Sequence, residues 1–340
     1  MHPITTAWTV GDIAAFLFAV PVTSLAGAVF LALVVAAWRA RVEADAAPGA
    51  AAAVDDRLRD RYRPQRIVLG ILAVAVGVAF VGAYLFRVFV PMESSAVPWL
   101  RFTLPLIVAA VGFAVLLVVA LRRGDDPSGE PVLGRRRTWA TFADRSALVG
   151  VALAAILLIA TTLIGGAVAS LDAEGRSTIV EIPVPNVAGV DPLRVSFYGW
   201  AYGAPVLVML GLVLLVVWSV LHAAAALPFL GPGVVAAERD LRRGVAAGAL
   251  GILTAVVLLT TADAWRLIAR SAQVSSLEIM GVNDGRPYEV AWQHSEFATL
   301  AAWGAPVLEI CAFTLLLLVV IRSPYPAIAS TTPRESERIR

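Results

Sequence analysis

One acidic residue lies deep inside an apolar run and is the residue of this chain best placed to do chemistry. Glu309 lies about 12 residues from the C-terminal end of the last apolar run, roughly 18 Å into a membrane core at a rise of about 1.5 Å per residue. A carboxylate at the centre of a membrane helix costs about 2.5–3.5 kcal/mol on insertion scales, so we expect it to face the interior of a bundle. Two roles fit: a protonatable site on a solute or proton path, or a group that fixes helix packing.

Three charged residues are candidate members of an ion-pair group with this acid. Asp263, Arg266 and Arg270 lie at the end of the preceding apolar run. If the helix continues past Trp265, Asp263 and Arg266 share a face, as do Arg266 and Arg270, because residues three or four apart are neighbours on a helix. Either arginine reaches Glu309 if the two helices are adjacent. The alternative is a set of ordinary interfacial charges.

A proline recurs near the start of four apolar runs, three residues after an aromatic side chain. Each proline removes a backbone donor, so we predict helix kinks, with hinge motion or cation binding by the freed carbonyls as functional alternatives. Proline near a helix start is also tolerated without any such role. The four prolines are Pro21, Pro105, Pro205 and Pro306, preceded by Phe18, Phe102, Tyr202 and Trp303.

The inventory of side chains excludes several chemistries. All 27 basic residues are arginine, so there is no lysine for a Schiff base or a phosphate-binding loop. The single cysteine, Cys311, excludes an internal disulfide and a cysteine metal cluster, and the three histidines are far apart in the sequence. We therefore expect no enzymatic activity, no cofactor and no metal site. The formal charge of +2 does not indicate nucleic acid as a partner.

The composition indicates a polytopic membrane protein. Of its 340 residues, 59% are hydrophobic and 15% are charged, whereas soluble domains contain about 25% charged residues. Seven apolar runs of about 20 residues are long enough to cross a bilayer, and only helices satisfy their own backbone groups there. The predicted fold is therefore all-α, with seven transmembrane helices at 13–38, 67–90, 102–121, 147–170, 200–221, 245–263 and 298–321.

The placement of arginine predicts the orientation of these helices. Of the 27 arginines, 20 lie in segments 39–66, 122–146, 227–244 and 322–340. Because arginine-rich loops stay in the cytoplasm, the N-terminus is predicted to lie outside the cell and the C-terminus in the cytoplasm. The membrane that the helices cross is predicted to be the cell membrane. The polar tail 322–340 is predicted to be disordered.

Two of the predicted outer loops have the pattern of a β-hairpin. One has strand-like runs near 177–183 and 193–199, and the other near 275–280 and 287–293 around Asn283-Asp284-Gly285. The loops also share a short pattern, Pro192-x-x-Val-x-Phe197 in the first and Pro287-x-x-Val-x-Trp292 in the second.

These matches predict a repeated unit of helix, outer hairpin and proline-bearing helix. With their cytoplasmic loops, the units cover 147–244 and 245–321, and a shorter unit without the hairpin covers 67–146. Segment 1–66 then contains an orphan helix and a cytoplasmic loop. A rival division into three helices, a linker helix and three helices stays open.

The predicted function is that of a non-catalytic membrane subunit, scaffold or sensor. The apolar spans suggest no defined substrate site, the outer hairpins offer strand edges to a protein partner, and the arginine-rich cytoplasmic loops offer a second docking surface. The lipid bilayer is the other expected partner. The alternative is a transporter or permease-like protein for a lipid-like or small apolar solute, with Glu309 as its protonatable site.

Overall fold

Seven helices form the framework of the part of the chain that the computed structural model describes. Those residues are 21–45, 56–89, 99–122, 138–184, 191–227, 229, 235–272, 276–277, 288–289, 292 and 294–323. The helices are α1 (Pro21–Asp45), α2 (Asp56–Phe89), α3 (Leu100–Leu121), α4 (Arg145–Val168), α5 (Trp200–Ala226), α6 (Val235–Ala272) and α7 (Ser295–Arg322), and a 3₁₀ helix covers Trp139–Thr141.

Six of these helices, α2 to α7, are long and apolar enough to cross a membrane. Their most apolar stretches have mean hydropathies between 2.1 and 2.9. In α1 the apolar part, Thr23–Trp38, is shorter, and the beginning of the predicted first span lies in residues 13–20, outside the described residues. The chain is thus a mostly helical, multi-pass membrane protein with six candidate spans. A seventh span and the orientation stay predictions.

Helix α6 lies at the centre of the bundle. In its apolar window 72% of the residues are buried, against 28–39% in the other five spans. It contacts α2, α3, α4, α5 and α7, most extensively α7, and α1 packs on the other side of α7. Close approach to α6 is favoured by small buried side chains, because small residues let helix backbones come together in lipid. They include Ala246, Ala249, Ala255, Ala262 and Ala264.

Two helices begin well before the apolar runs that predict them. Helix α2 starts at Asp56 and α6 at Val235, inside segments 39–66 and 227–244 that the sequence analysis treats as loops. Leu58 and Tyr62 are buried, and the Tyr62 hydroxyl donates a hydrogen bond to Glu238 of α6. Both helices therefore extend beyond their apolar runs because their starting turns contact each other.

Short antiparallel strands connect α4 to α5 and α6 to α7. The first sheet has the order β1 (Ser170–Leu171), β2 (Ser177–Ile182), β3 (Leu193–Ser196), and the second pairs β4 (Ser276–Leu277) with β5 (Tyr288–Glu289). In the first sheet Val180 lies opposite Val195, and Glu181 lies opposite Arg194. Strands β2 to β5 lie within the four runs predicted to be strand-like, whereas β1 was not predicted and lies at the end of the predicted span 147–170. The turn 283–285 lies outside the described residues.

Candidate functional site

A bidentate ion pair joins the C-terminal part of α6 to the middle of α7, the two most extensively packed helices. The Glu309 side chain is completely buried in α7, and Arg266 of α6 donates to both of its oxygens. The distance from Arg266 Nη2 to Glu309 Oε2 is 2.7 Å. The Arg266 side chain is 15% exposed. This pair brings together two of the residues that the sequence analysis singles out, and it gives a buried carboxylate the hydrogen bonds that burial requires.

A glycine positions the pair by letting the two helices touch. A Cβ atom on Gly304 would lie 2.1 Å from the ring of Trp265, so this site in α7 accepts only glycine without rearrangement. The Trp265 ring is fixed from its other side, because its Nε1 donates to Thr161 Oγ1 of α4 at 2.9 Å. Arg266, the next residue in α6, is thereby held against α7.

A second ion pair lies one helical turn away on α6. Asp263 accepts hydrogen bonds from Arg101 of α3, with Nη2–Oδ1 at 3.2 Å and Nε–Oδ2 at 3.3 Å. Arg270, the third candidate partner, is exposed and does not pair with Glu309. Arg101, Asp263, Arg266 and Glu309 together form what we call the charge cluster. Its two arginines and two acids balance, and it links α3, α6 and α7.

Sequence reasoning did not identify Arg101 as a member of this cluster. It lies at the edge of an apolar run, where arginine is common, and no spacing rule relates it to Asp263, 162 residues away.

A comparison with α5 explains why Glu309 has no acidic counterpart in that helix. Val208 occupies the position in α5 that matches Glu309, and it is 71% exposed on the outside of the bundle, where a carboxylate would face lipid.

The four prolines divide by position. Pro105, Pro205 and Pro306 lie inside α3, α5 and α7, whereas Pro21 is where the described part of α1 begins. In the matching Gly-Ala-Pro segments of α5 and α7, the glycine is a point of helix contact. A Cβ on Gly203 would lie 2.4 Å from Thr162 Cγ2 of α4, as one on Gly304 would meet α6.

Aromatic residues anchor the strand segments to the bundle. Phe197 and Tyr198, which follow β3, are fully buried. The Tyr198 ring packs on Phe102 of α3 with centroids 5.1 Å apart, and its hydroxyl lies 3.3 Å from Thr162 Oγ1 of α4. The Phe197 ring contacts Trp292, which precedes α7, at 5.8 Å. The end of the first sheet is therefore packed against the helices.

A buried polar cluster, which we call the inner cluster, lies at the opposite end of α6. Glu238 accepts from the Tyr62 hydroxyl at 2.9 Å and from Arg242 Nη2 at 2.6 Å, and Arg242 Nε donates to the Tyr62 oxygen at 3.0 Å. Arg242 Nη1 also donates to the carbonyls of Ala224 and Leu227. Sequence reasoning missed this cluster, although the spacing of four between Glu238 and Arg242 is a signal for a helical ion pair.

Comparison with known proteins adds no assignment to these sites. The chain matches no protein-family model, no curated protein and no solved structure. Within the described ranges, no three His, Cys, Asp or Glu side chains are grouped to hold a metal ion. The chemistry available at the charge cluster is ionic: it can fix helices in place, or it can exchange ion-pair partners.

Proposed function

We propose that this chain is a non-catalytic membrane subunit, scaffold or sensor of the cell membrane that binds a protein partner. One observation carries the proposal. Glu309, the acid best placed to serve a transport site, is fully buried and bound through both oxygens to Arg266. The two charges balance each other inside the contact between α6 and α7, so we assign the carboxylate to helix packing.

The partner surface that we assign is the outer edge of β3. Phe197 N donates to Thr178 O of β2 at 2.8 Å, so the alternate residues Arg194 and Ser196 direct their backbone N–H groups away from β2. No strand in the described part of the chain pairs with this edge, and an unpaired strand edge accepts an added strand from a partner. Because Phe197 and Tyr198 are buried, this edge is presented in a fixed position. The arginine-rich segments predicted to be cytoplasmic offer a second docking surface.

The test is purification from native membranes in a mild detergent, with mass spectrometry of the proteins that co-purify. We expect one partner in stoichiometric amount. Ser196→Pro removes an outward N–H and should release that partner, whereas the matched Ser196→Ala keeps the N–H and should retain it. Retention by both variants would contradict the assigned edge, and a chain that purifies alone would contradict the proposed function.

One observation favours the alternative function, transport of a lipid-like or small apolar solute. Asp263 and Arg266 lie three residues apart on α6 but pair with different helices, α3 and α7. An exchange of partners between the two pairs would therefore move α3 and α7 relative to α6. The two functions differ in their response to Glu309→Gln. In a transporter this variant abolishes the flux of a fluorescent lipid analogue in liposomes, and in a scaffold it leaves partner binding unchanged.

A further inference from the structure

A cleft opens where the charged start of α6 gives way to its apolar part. It has a volume of about 550 Å³ and lies between the 3₁₀ helix, the start of α4 and the first turns of α6. Its lining includes Thr141, Asp144, Arg145, Arg243 and Gly244. Arg145 is the first residue of α4, directly before the apolar stretch of that helix. The cleft is thus at the level of a membrane–water boundary, on the side predicted to be cytoplasmic.

The charges that face the cleft favour an anion. The Asp144 carboxylate is already engaged, because it accepts from Ser146 N at 3.4 Å and from Ser146 Oγ at 2.9 Å. Arg243 is exposed, and its only ion pair among the described residues is the exposed one with Asp240 at 3.3 Å, a kind of contact that is easily exchanged. Arg145 is exposed and forms no ion pair with any residue in the described part of the chain. Two guanidinium groups are therefore available at one opening.

An apolar stripe continues from this opening along α4. Val149, Leu153 and Ile156 are exposed and follow Arg145 at steps of four, four and three residues, so all four lie on one face of the helix. Trp139, in the 3₁₀ helix beside the cleft, is 38% exposed, as is usual for an interfacial tryptophan. A ligand with an anionic head and apolar chains would match both parts of this surface.

We propose that the cleft binds the phosphate of an anionic phospholipid through Arg145 and Arg243. Guanidinium groups bind phosphate oxygens in pairs of parallel hydrogen bonds, and the cytoplasmic leaflet supplies anionic lipids next to the protein. The acyl chains lie along the stripe from Val149 to Ile156. This inference does not depend on the proposed function.

The test is native mass spectrometry of the full chain, released from detergent micelles that contain phosphatidylglycerol. We expect retained phosphatidylglycerol, with binding weakened about 30-fold in Arg145→Gln/Arg243→Gln. The matched control is Arg41→Gln/Arg63→Gln, which removes two exposed arginines elsewhere on the same predicted side and should bind as the native chain does. Equal weakening in both double variants, or unchanged binding in the first, overturns the proposal.

Two further experiments test whether the lipid binds in the cleft rather than elsewhere on the protein, and whether the bound ligand is the lipid rather than free phosphate. A Cβ on Gly244 would have no described atom within 4 Å, so Gly244→Trp can fill the cleft and should abolish retention of the lipid. Gly211, on α5, is equally open, and Gly211→Trp should leave retention unchanged. Inorganic phosphate at millimolar concentration should not displace the lipid. Displacement by phosphate, or retention in Gly244→Trp, overturns the assignment.

Discussion

The rings of Phe197 and Trp292 pack edge to face, with centroids 5.8 Å apart and planes inclined at 79°. These residues end the two matching patterns that begin at Pro192 and Pro287. When two copies of a structural repeat are related by a rotation axis, matching residues close to that axis contact each other. Some membrane transporters are built from parallel repeats related by an axis normal to the membrane. Both ways of dividing the chain, into hairpin units or into three helices, a linker helix and three helices, stay predictions.

The first prediction concerns this ring pair. We expect Phe197→Leu and Trp292→Leu to be non-additive, with a coupling of about 0.5–1.5 kcal/mol in the free energy of unfolding, because edge-to-face rings contribute beyond their buried area. The measurement is a double-mutant cycle by denaturant unfolding in micelles. Trp303→Leu, at an exposed ring, should add to Phe197→Leu without coupling. Strict additivity in the first cycle would show that the ring contact contributes nothing.

The second prediction concerns the pair between Arg266 and Glu309. Glu309→Leu leaves a largely buried guanidinium without its carboxylate, and we expect it to lower the free energy of unfolding by about 3–5 kcal/mol. Arg266→Met should cost a similar amount for the converse reason. The double variant Arg266→Met/Glu309→Leu should recover most of the loss, because no uncompensated charge remains.

Thermal unfolding of the four proteins in one detergent measures this cycle. A matched exposed pair is Arg243 and Asp240, and Asp240→Leu should change the stability by less than about 1 kcal/mol. If the double variant is as unstable as the single ones, the two residues act independently and the pair is not a unit of packing.

The third prediction concerns the glycine contact between α6 and α7. In an open helical position, Gly→Ala stabilises by about 1 kcal/mol, and Gly211→Ala should do so because a Cβ there meets no described atom within 4 Å. Gly304→Ala should instead destabilise by about 1–3 kcal/mol, because its Cβ would overlap the Trp265 ring. The shift of the unfolding midpoint checks both variants. A stabilising Gly304→Ala would mean that α7 moves away from Trp265 without loss.

The fourth prediction concerns pH and the turn between β1 and β2. The Thr178 hydroxyl donates to the Asp172 carboxylate at 2.7 Å, as do the backbone N–H groups of Glu174 at 3.0 Å and Arg176 at 2.7 Å. With Thr178 as the largest cause, these bonds lower the pKa of Asp172 from 3.8 to about 2. Because the folded pKa is the lower one, the carboxylate stabilises the turn fully above about pH 4 and loses this effect as the pH falls through about 2.

Carbon-13 NMR of the Asp172 carboxyl in micelles measures this titration. Thr178→Val removes the largest contribution and should move the pKa of Asp172 upward, whereas Ser196→Ala, on the neighbouring strand, should leave it unchanged. A native midpoint near 4 would contradict the hydrogen bonds to the turn.

The sequence predicted the positions of six candidate spans because apolar length alone decides where a helix can cross lipid. It did not predict where α2 and α6 begin. The starting turns of both helices are rich in charge, and a single sequence does not distinguish charges that face water from charges that pair with each other. Tyr62, Glu238 and Arg242 are buried together only because the chain brings residues 176 and 180 positions apart into contact.

In the charge cluster, too, the sequence predicted features that depend on one helix but not those that depend on contacts between helices. The spacing of Asp263 and Arg266 placed both on one face of a helix, and Glu309 was expected to face the bundle interior, since both inferences use only helix geometry and the cost of charge in lipid. The choice of Arg101 for Asp263 and of Arg266 for Glu309 depends on which helices are neighbours. That choice follows from contacts such as Gly304 with Trp265, which no local pattern encodes.

The inner cluster also sets an order of events during synthesis. Arg242 is bound by Tyr62, made 180 residues earlier, and by carbonyls at the end of α5. At about 5–20 residues per second, Tyr62 leaves the ribosome roughly 10 to 40 seconds before its partner exists. The inner cluster therefore forms only after α2 and α5 have been made, and the bundle is completed later still by α7, which makes the most extensive contact with α6.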